Sequence, residues 1–352
     1  MAYEIDYIPV GEGEKSGDAI AIRYGNNLAT APENQTIIVI DGGFEESGKT
    51  LVQHIKDYYK TNKVDLLIST HPDLDHSSGL CVVLEELNVG AILMHKPWEH
   101  ADEIKNMFKD GRITASGLEE KLEKSLQSAS DIEAIAQKKN IPIYEPFQGL
   151  NMGSGILQVL GPSEEYYKNL LPHFRSTPEP KKGLGIFAPI QKAAEEVVHW
   201  IEDRFDIDLL NDDDDTTSAE NNTSTILLFQ IDGHKLLFTG DAGKTAILNA
   251  INYTVEQNIS LSDLTFFDVP HHGSKRNLNS TILNSVKSQI SYISAAKNSP
   301  KHPAKKVTNA LKKFGSAVYV NNKGGTLCHN YLGVERGWSA AQEEPFHQRV
   351  ES

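Results

Sequence analysis

A chain of 352 residues with 39% hydrophobic content can bury a sizeable core, and its mean hydropathy of −0.39 fits a soluble protein. The formal charge of −14 argues against a broad polyanion-binding surface, although a local cation cluster or a bound metal can still draw phosphate. Two cysteines, Cys81 and Cys328, make a disulfide framework or a cysteine zinc site unlooked for, no apolar run reaches the roughly 18 residues of a membrane span, and Met1 to Asp6 lacks a secretory signal's features, so the cytoplasm is expected.

The chain opens with strand-like runs at Tyr3 to Val10, Ala19 to Tyr24 and Thr36 to Ile40, too close for intervening helices and so expected in an antiparallel or mixed sheet. The third run empties into Asp41-Gly42-Gly43, where the backbone can turn sharply and approach another segment; taken alone this is ordinarily a plain turn. Ser47 reads as the cap of a helix through Leu51, Ile55 and Tyr58. Leu66-Leu67-Ile68 reads as a buried strand that runs into His71-Pro72-Asp73-Leu74-Asp75-His76. A short helix, Gly79 to Leu87, and a strand, Val89 to Met94, continue an α/β layering.

Residues 97–139 are charged and helical, with Leu118, Leu122 and Leu126 in one stripe that Ile132 and Ile135 extend; such a face ordinarily packs on a core. Ile141 to Tyr144 and Ile156 to Pro162 read as strands. An insertion follows, with a Pro/Gly/Lys-rich stretch at Pro178 to Gly185, a helix-like segment at Val197 to Phe205, and Asp212-Asp213-Asp214-Asp215. That acidic run lacks the spacing and the glycine of a calcium loop and reads as a solvated loop. Thr225 to Ile231 and His234 to Thr239 form a hairpin through Asp232-Gly233, and the second strand delivers Asp241 ahead of a helix from Lys244 to Gln257. Leu264 to Val269 delivers Pro270-His271-His272-Gly273-Ser274. Ile290 to Ser294 leads toward Lys301-His302-Pro303 and a helix through Val307 and Leu311. Ala317 to Val320 reads as the last strand, and periodic signal fades beyond Trp338. One domain over residues 1–335 is expected, with insertions at about 97–140 and 163–220 and a C-terminal tail at 336–352.

The stretch from His71 to His76 carries the chemistry. His71, Asp73 and Asp75 are spaced two apart, so alternate side chains can converge on one side of an extended loop while His76 closes from the next turn. A lone His or Asp is ordinarily a turn or cap residue, but four potential ligands in six residues suit zinc, manganese or iron, with the carboxylates leaning toward the harder ions.

Asp-Gly-Gly after an early strand, His-x-Asp-x-Asp-His after the next, Gly-Asp after a hairpin and a late His resemble the ordered motifs of the metallo-β-lactamase superfamily. Within it, Asp73 in place of the commoner His, Asn221-Asn222-Thr223-Ser224, Pro-His-His-Gly-Ser and the later His-Pro are similar to the soluble domain of ComEC-type competence proteins and their free-standing relatives. Phosphorylcholine esterases look similar at the first motif. The resemblance implies an α/β (α+β) fold, a four-layer αββα sandwich with helical insertions, and two divalent metal ions, zinc or manganese. It assigns His71 and Asp73 to the first metal, Asp75 and His76 to the second, Asp241 as the bridge, His272 (or His271) as a further ligand, and Asn221 as a weak carboxamide ligand where many members have a third His.

A water activated by two metals would attack the substrate, with Asp75 orienting it or taking its proton, and His271, Ser274 or His302 stabilising phosphate oxygens or protonating the leaving group. His302 reads equally as a residue capping a helix. The leading expectation is a metal-dependent phosphodiesterase, a nuclease acting on DNA, with Lys275-Arg276 and Lys297, Lys301, Lys305 and Lys306 as candidate phosphate contacts. The alternatives are a small-molecule phosphodiesterase for a cyclic nucleotide or phosphorylcholine ester, favoured by the acidic charge, and a non-catalytic metal-stabilised binding or regulatory module. Thioester or lactam hydrolysis is open to the same water.

Overall fold

Runs of valine, isoleucine and aromatic residues form strands whose alternate side chains go to opposite faces, and amphipathic helices cover the outer faces. The computed structural model describes residues 1–30, 32–181, 200–206, 208–210 and 215–351. The strands are β1 (Ala2–Tyr7), β2 (Ala19–Gly25), β3 (Thr36–Gly42), β4 (Lys63–Ile68), β5 (Asn88–Leu93), β6 (Ile143–Tyr144), β7 (Asn151–Met152) and β8 (Leu157–Gly161). They continue as β9 (Trp200–Glu202), β10 (Ile226–Ile231), β11 (His234–Phe238), β12 (Leu264–Asp268), β13 (Ser288–Ser294), β14 (Ala317–Asn321), β15 (Leu327–Tyr331) and β16 (Arg349–Glu351). One seven-stranded sheet has the order β15-β1-β2-β3-β4-β5-β6, the other β14-β13-β12-β11-β10-β8-β7, and β9 pairs with β16 in a ribbon. Each sheet is antiparallel at one end and parallel at the other, from β3 to β6 and from β11 to β14.

Ile38 and Ile40 of β3 face the second sheet while Ile37 and Val39 face helices; Leu227, Phe229 and Ile231 of β10 enter the same inter-sheet layer while Ile226 and Leu228 face away. Three apolar layers result. One lies between the sheets, one beneath Glu45–His54, Leu74–Glu86, Ala115–Ser125 and Gln127–Lys139, and one beneath Lys244–Glu256, Ser280–Ser285 and Lys305–Lys313. This is the expected αββα sandwich. Leu118, Leu122 and Ile132 of the segment 97–140 pack into the first outer layer, with the stripe broken at Leu126 between two helices. Among the described residues no helix is long and apolar enough to cross a membrane.

Several local expectations are corrected. Phe44, not Ser47, stands at the N-cap of Glu45–His54, and the Ser47 hydroxyl donates to Pro9 O at 3.2 Å. The reason is the turn before it: Gly79 N–H donates to Gly43 O at 2.9 Å, and a Cβ on Gly79 would lie 2.0 Å from Gly42 O, so the helix starts directly from a backbone contact. The segment expected as a helix at Val197 to Phe205 contains β9, because Trp200–Glu202 pairs with Arg349–Glu351. Residues 182–199 and 211–214, which hold half of the Pro/Gly/Lys-rich stretch and most of the acidic run, lie outside the described residues. Asp215, the run's last member, accepts from Thr245 N and Thr217 N, both at 2.9 Å, at the start of the helix Lys244–Glu256.

Nor is Ala317 to Val320 the last strand. β15 pairs with β1, and the segment beyond it returns to the core through Arg336, whose guanidinium binds Asp6 (2.8 and 3.0 Å) and Glu4 and lies over Tyr58 and Trp338. Glu4 and Asp6 are fully buried; Glu4 also pairs with Arg23 and accepts from Val334 N, and Asp6 also pairs with His54 and accepts from the Tyr59 hydroxyl. Burial opposes Asp6's charge, but the His54 hydrogen bond and Arg336 hold its carboxyl below the usual carboxylate range. Arg336→Ala leaves buried carboxylates short of a partner and should cost about 3 kcal/mol, measured by urea unfolding. A lowered native pKa contributes stability that is complete above about pH 4 and is lost as pH falls toward it, so the variant should also unfold at higher pH in an acid titration.

Candidate metal centre

The loops that leave β3, β4, β11 and β12 at their carboxyl ends meet at one edge of the sandwich, where open α/β sheets ordinarily hold their ligands. β3 ends in Asp41, β4 leads into His71, β11 into Asp241, and β12 into His271 and His272. Asp241 is the hub. Around its carboxylate stand Nε2 of His71 (3.9 Å), His76 (3.5 Å), His271 (3.6 Å) and His272 (3.7 Å).

Each ring is fixed from its other nitrogen. His76 Nδ1 donates to Asp41 Oδ2 (2.8 Å), His272 Nδ1 to Ser294 O (3.1 Å) and His271 Nδ1 to Asn277 Oδ1 (3.1 Å). His71 Nδ1 meets Thr70 Oγ1 at 3.0 Å; that hydroxyl gives its own proton to Asp41 Oδ2 at 2.6 Å and so accepts from the ring. All four rings therefore turn Nε2 inward. Nε2 of His71, His76 and His272 and Oδ1 of Asp241 are buried and meet no hydrogen-bond partner. An unpaired buried polar atom costs about 1–3 kcal/mol. Four of them aimed at one region fit divalent cations better than any internal hydrogen-bond scheme. Asp75 joins His76 and His272, and Asp18 joins Asp241 and His272, with potential ligand atoms within 4.8 Å of one another. Asp41, His71 and His76 satisfy the same distance, yet Asp41 spends Oδ1 on Thr70 N (2.8 Å) and Oδ2 on Thr70 Oγ1 and His76, so it holds rings in place.

The electrostatics follow. Burial alone would raise Asp241's pKa, but His271, His272, His76 and His71 hold it far below the carboxylate range. Burial opposes the charge on His272, while Asp241 and Asp18 push its pKa up to about 9; burial likewise opposes His76, which Asp241 and Asp41 raise well above the usual imidazole value. At His271 burial outweighs Asp241 and the pKa falls. His302 is pushed down to about 3 by burial and by the neighbouring His272 and His271, so its ring is neutral at pH 7.

Other expected residues lie differently. Asp73 is drawn outward: Arg175 Nη2 donates to both its oxygens at 2.7 Å, because Asp73 stands at the N-cap of Leu74–Glu86 and the extended spacing ends there. Asn221 turns its amide nitrogen, not its oxygen, to Asp241 (3.1 Å), while the oxygen accepts from Ser218 Oγ at 2.5 Å. Ser274 is buried, with its hydroxyl oxygen accepting from Arg276 N. His302 lies against the rings of His271 and His272, 5.9 and 6.1 Å between centroids, and its Nδ1 is unpartnered. Of the lysines, Lys301 pairs with Glu14, Lys305 lies over Trp200 and Lys306 is buried, while Arg276 and Lys297 are exposed. Sequence reasoning missed Asp18, whose one signal is a charge directly ahead of a wholly buried strand. It also missed Asn277, which donates to Asp241 O and Ala242 O while holding His271 and which no spacing marks.

Residues 30–142 match the family model described as the metallo-beta-lactamase superfamily, which supports membership, and the sandwich is of that fold. Among curated proteins nothing matches the chain. Solved structures similar to it include a CmlA β-hydroxylase mutant (9% identity, 94% of this chain and 54% of that one, TM-score 0.46). A new diphosphatase from the PhnP family (10%, 94% and 99%, 0.38) and a Cronobacter sakazakii metallo-beta-lactamase mutant (11%, 74% and 74%, 0.32) are also similar in outline.

Removing the acceptor that orients His76 and, through Thr70, His71 should weaken the centre without touching a ligand. Asp41→Asn is expected to lower affinity for manganese or zinc by about 10- to 100-fold in a calorimetric titration.

Proposed function

We propose that this protein is a metal-dependent phosphodiesterase. One observation carries the reading: imidazole nitrogens and a carboxylate oxygen, all buried, converge with no hydrogen-bond partner. His71, His76, His272, Asp241, Asp75 and Asp18 would hold the cations, and their mixture of nitrogen and oxygen donors suits zinc or manganese. Divalent ions bound there would lower the pKa of a coordinated water and polarise a phosphoryl oxygen.

The chain's own groups divide the remaining work. Asp75, half-buried on the first turn of its helix, would orient the attacking water and take up its proton. His271 offers a lone pair, since its N–H is tied to Asn277, and so would act as a ligand or proton acceptor. His302, neutral at pH 7, would give an N–H hydrogen bond to a phosphate oxygen rather than a proton.

For the substrate, DNA cleavage is one finer reading, supported by exposed Arg276 and Lys297 near the histidines. A small phosphodiester is the other, supported by the net charge of −14 and by a cleft of about 410 Å³ bordered by Asp73 and Asp75.

Purified protein with manganese or zinc should release nitrophenol from bis-p-nitrophenyl phosphate, and a chelator should abolish release. Asp241→Asn and His76→Ala should each lower kcat/KM by about 1000-fold or more. Single-stranded DNA should be cut, or should inhibit competitively, if the nuclease reading holds. Metal binding with no turnover of diesters, thioesters or lactams would replace the enzyme reading with that of a binding module.

A further inference from the structure

We infer that Arg175 is a specificity-determining residue that recognises a second anionic group on the substrate, next to the phosphodiester at the metal centre; the inference rests on the phosphodiesterase reading.

Arg175 follows the turn Leu171–His173 and reaches back to both ligand-bearing loops. Its Nη2 holds Asp73, two residues from His71 and two from Asp75; its Nε holds Glu220 at 3.1 Å, one residue from Asn221 and its contact with Asp241. Arg175 N–H donates to the same Glu220 oxygen at 2.6 Å. The guanidinium is thus set at a fixed place beside the centre, yet the side chain remains 64% exposed. Two edges of the fork are engaged, and Nη1 remains for a third oxygen.

A structural staple explains the contact with Glu220, which is buried, but not the exposed pair with Asp73, worth about 0–1 kcal/mol. Recognition accounts for more. Arg175 is the one cation among the described residues lining the 410 Å³ cleft, which opens beside Asp75. Leu74, 61% exposed between Asp73 and Asp75, and Leu126 give that cleft an apolar wall. An apolar wall beside an arginine fork suits a sugar or base followed by a neighbouring phosphate, in a nucleotide bearing two phosphates or in a nucleic-acid strand.

Two substrates decide the matter: the p-nitrophenyl ester of thymidine 5′-phosphate, and the same ester with a 3′-phosphate. The quantity read is the ratio of their KM values in each protein. Wild type should prefer the 3′-phosphorylated ester by roughly tenfold or more, and Arg175→Gln should bring the ratio near one. Arg175→Lys, which keeps the charge and loses the fork, should fall between. An equal loss on both esters in Arg175→Gln would make the residue a staple and overturn the inference, as would a wild-type ratio of one. Calorimetry of the manganese-loaded proteins with thymidine 3′,5′-diphosphate and thymidine 5′-phosphate reads the same ratio without turnover. If neither ester is hydrolysed, the phosphodiesterase reading fails, and the binding ratio, retained or lost in Arg175→Gln, still decides the role of Arg175.

Discussion

A carboxylate buried among imidazoles governs this molecule. Asp241 is 3% exposed, and an ion taken so far from water costs several kcal/mol unless opposite charge or strong donors surround it. Four histidine edges from two loops, those after β4 and after β12, supply that surrounding, and the two loops lie far apart in the chain. The loops must therefore be held to within tenths of an ångström of their places. Asn277 ties the His271 ring to the carbonyls of Asp241 and Ala242, and His271 N–H donates to Gly240 O. Asp41, His271 and His272 all adopt left-handed backbone conformations, with φ of 54°, 51° and 56°. Such conformations cost about 1–3 kcal/mol each and persist only where neighbours over-determine them.

The scaffold explains why the edge can bear this load. β3 and β4 run parallel and in register, so the end of one lies beside the end of the other, and Asp41 meets Thr70 across the gap. β11 and β12 do the same on the second sheet. Three dry layers behind these ends, filled by side chains such as Phe229, Phe238 and Phe266, keep the strands from sliding, because a slip of one residue would turn every apolar face to the wrong side. Asp268, at the end of β12, is buried near Asp18 and keeps its proton well above the carboxylate range; the Tyr7 hydroxyl donates to it at 2.6 Å. Tyr7 and Asp268 thus form a polar spot behind the metal centre in an otherwise apolar layer.

Most of the layer order was legible from period-two and helical patterns, because burial of one face is what those patterns record. The hairpin at Asp232-Gly233 and the strands ending at Ile68 and Asp268 could be read directly. The histidine and aspartate cluster was legible from density alone. Orientation was not. Asp73 shares its spacing with His71 and Asp75, yet it turns to Arg175, a residue 102 positions away whose presence no local pattern announces. Asn221 was expected to offer its oxygen, and Ser218, three residues earlier, takes that oxygen first. Asp18 comes from a loop remote in sequence from every motif. β15 and β16 escaped because short, mixed strands carry weak alternation, and their identity depends on partners well over a hundred residues away.

The pairing of β15 with β1 has a consequence for how the chain is made. On the ribosome β1 emerges before β15, and the edge that β15 covers stays bare until Leu327–Tyr331 has been synthesised. During that interval the nascent chain presents an unpaired row of peptide groups, with Glu4 and Asp6 waiting for Arg336. Until then Arg23, His54 and Tyr59 are the partners at hand for the two acids.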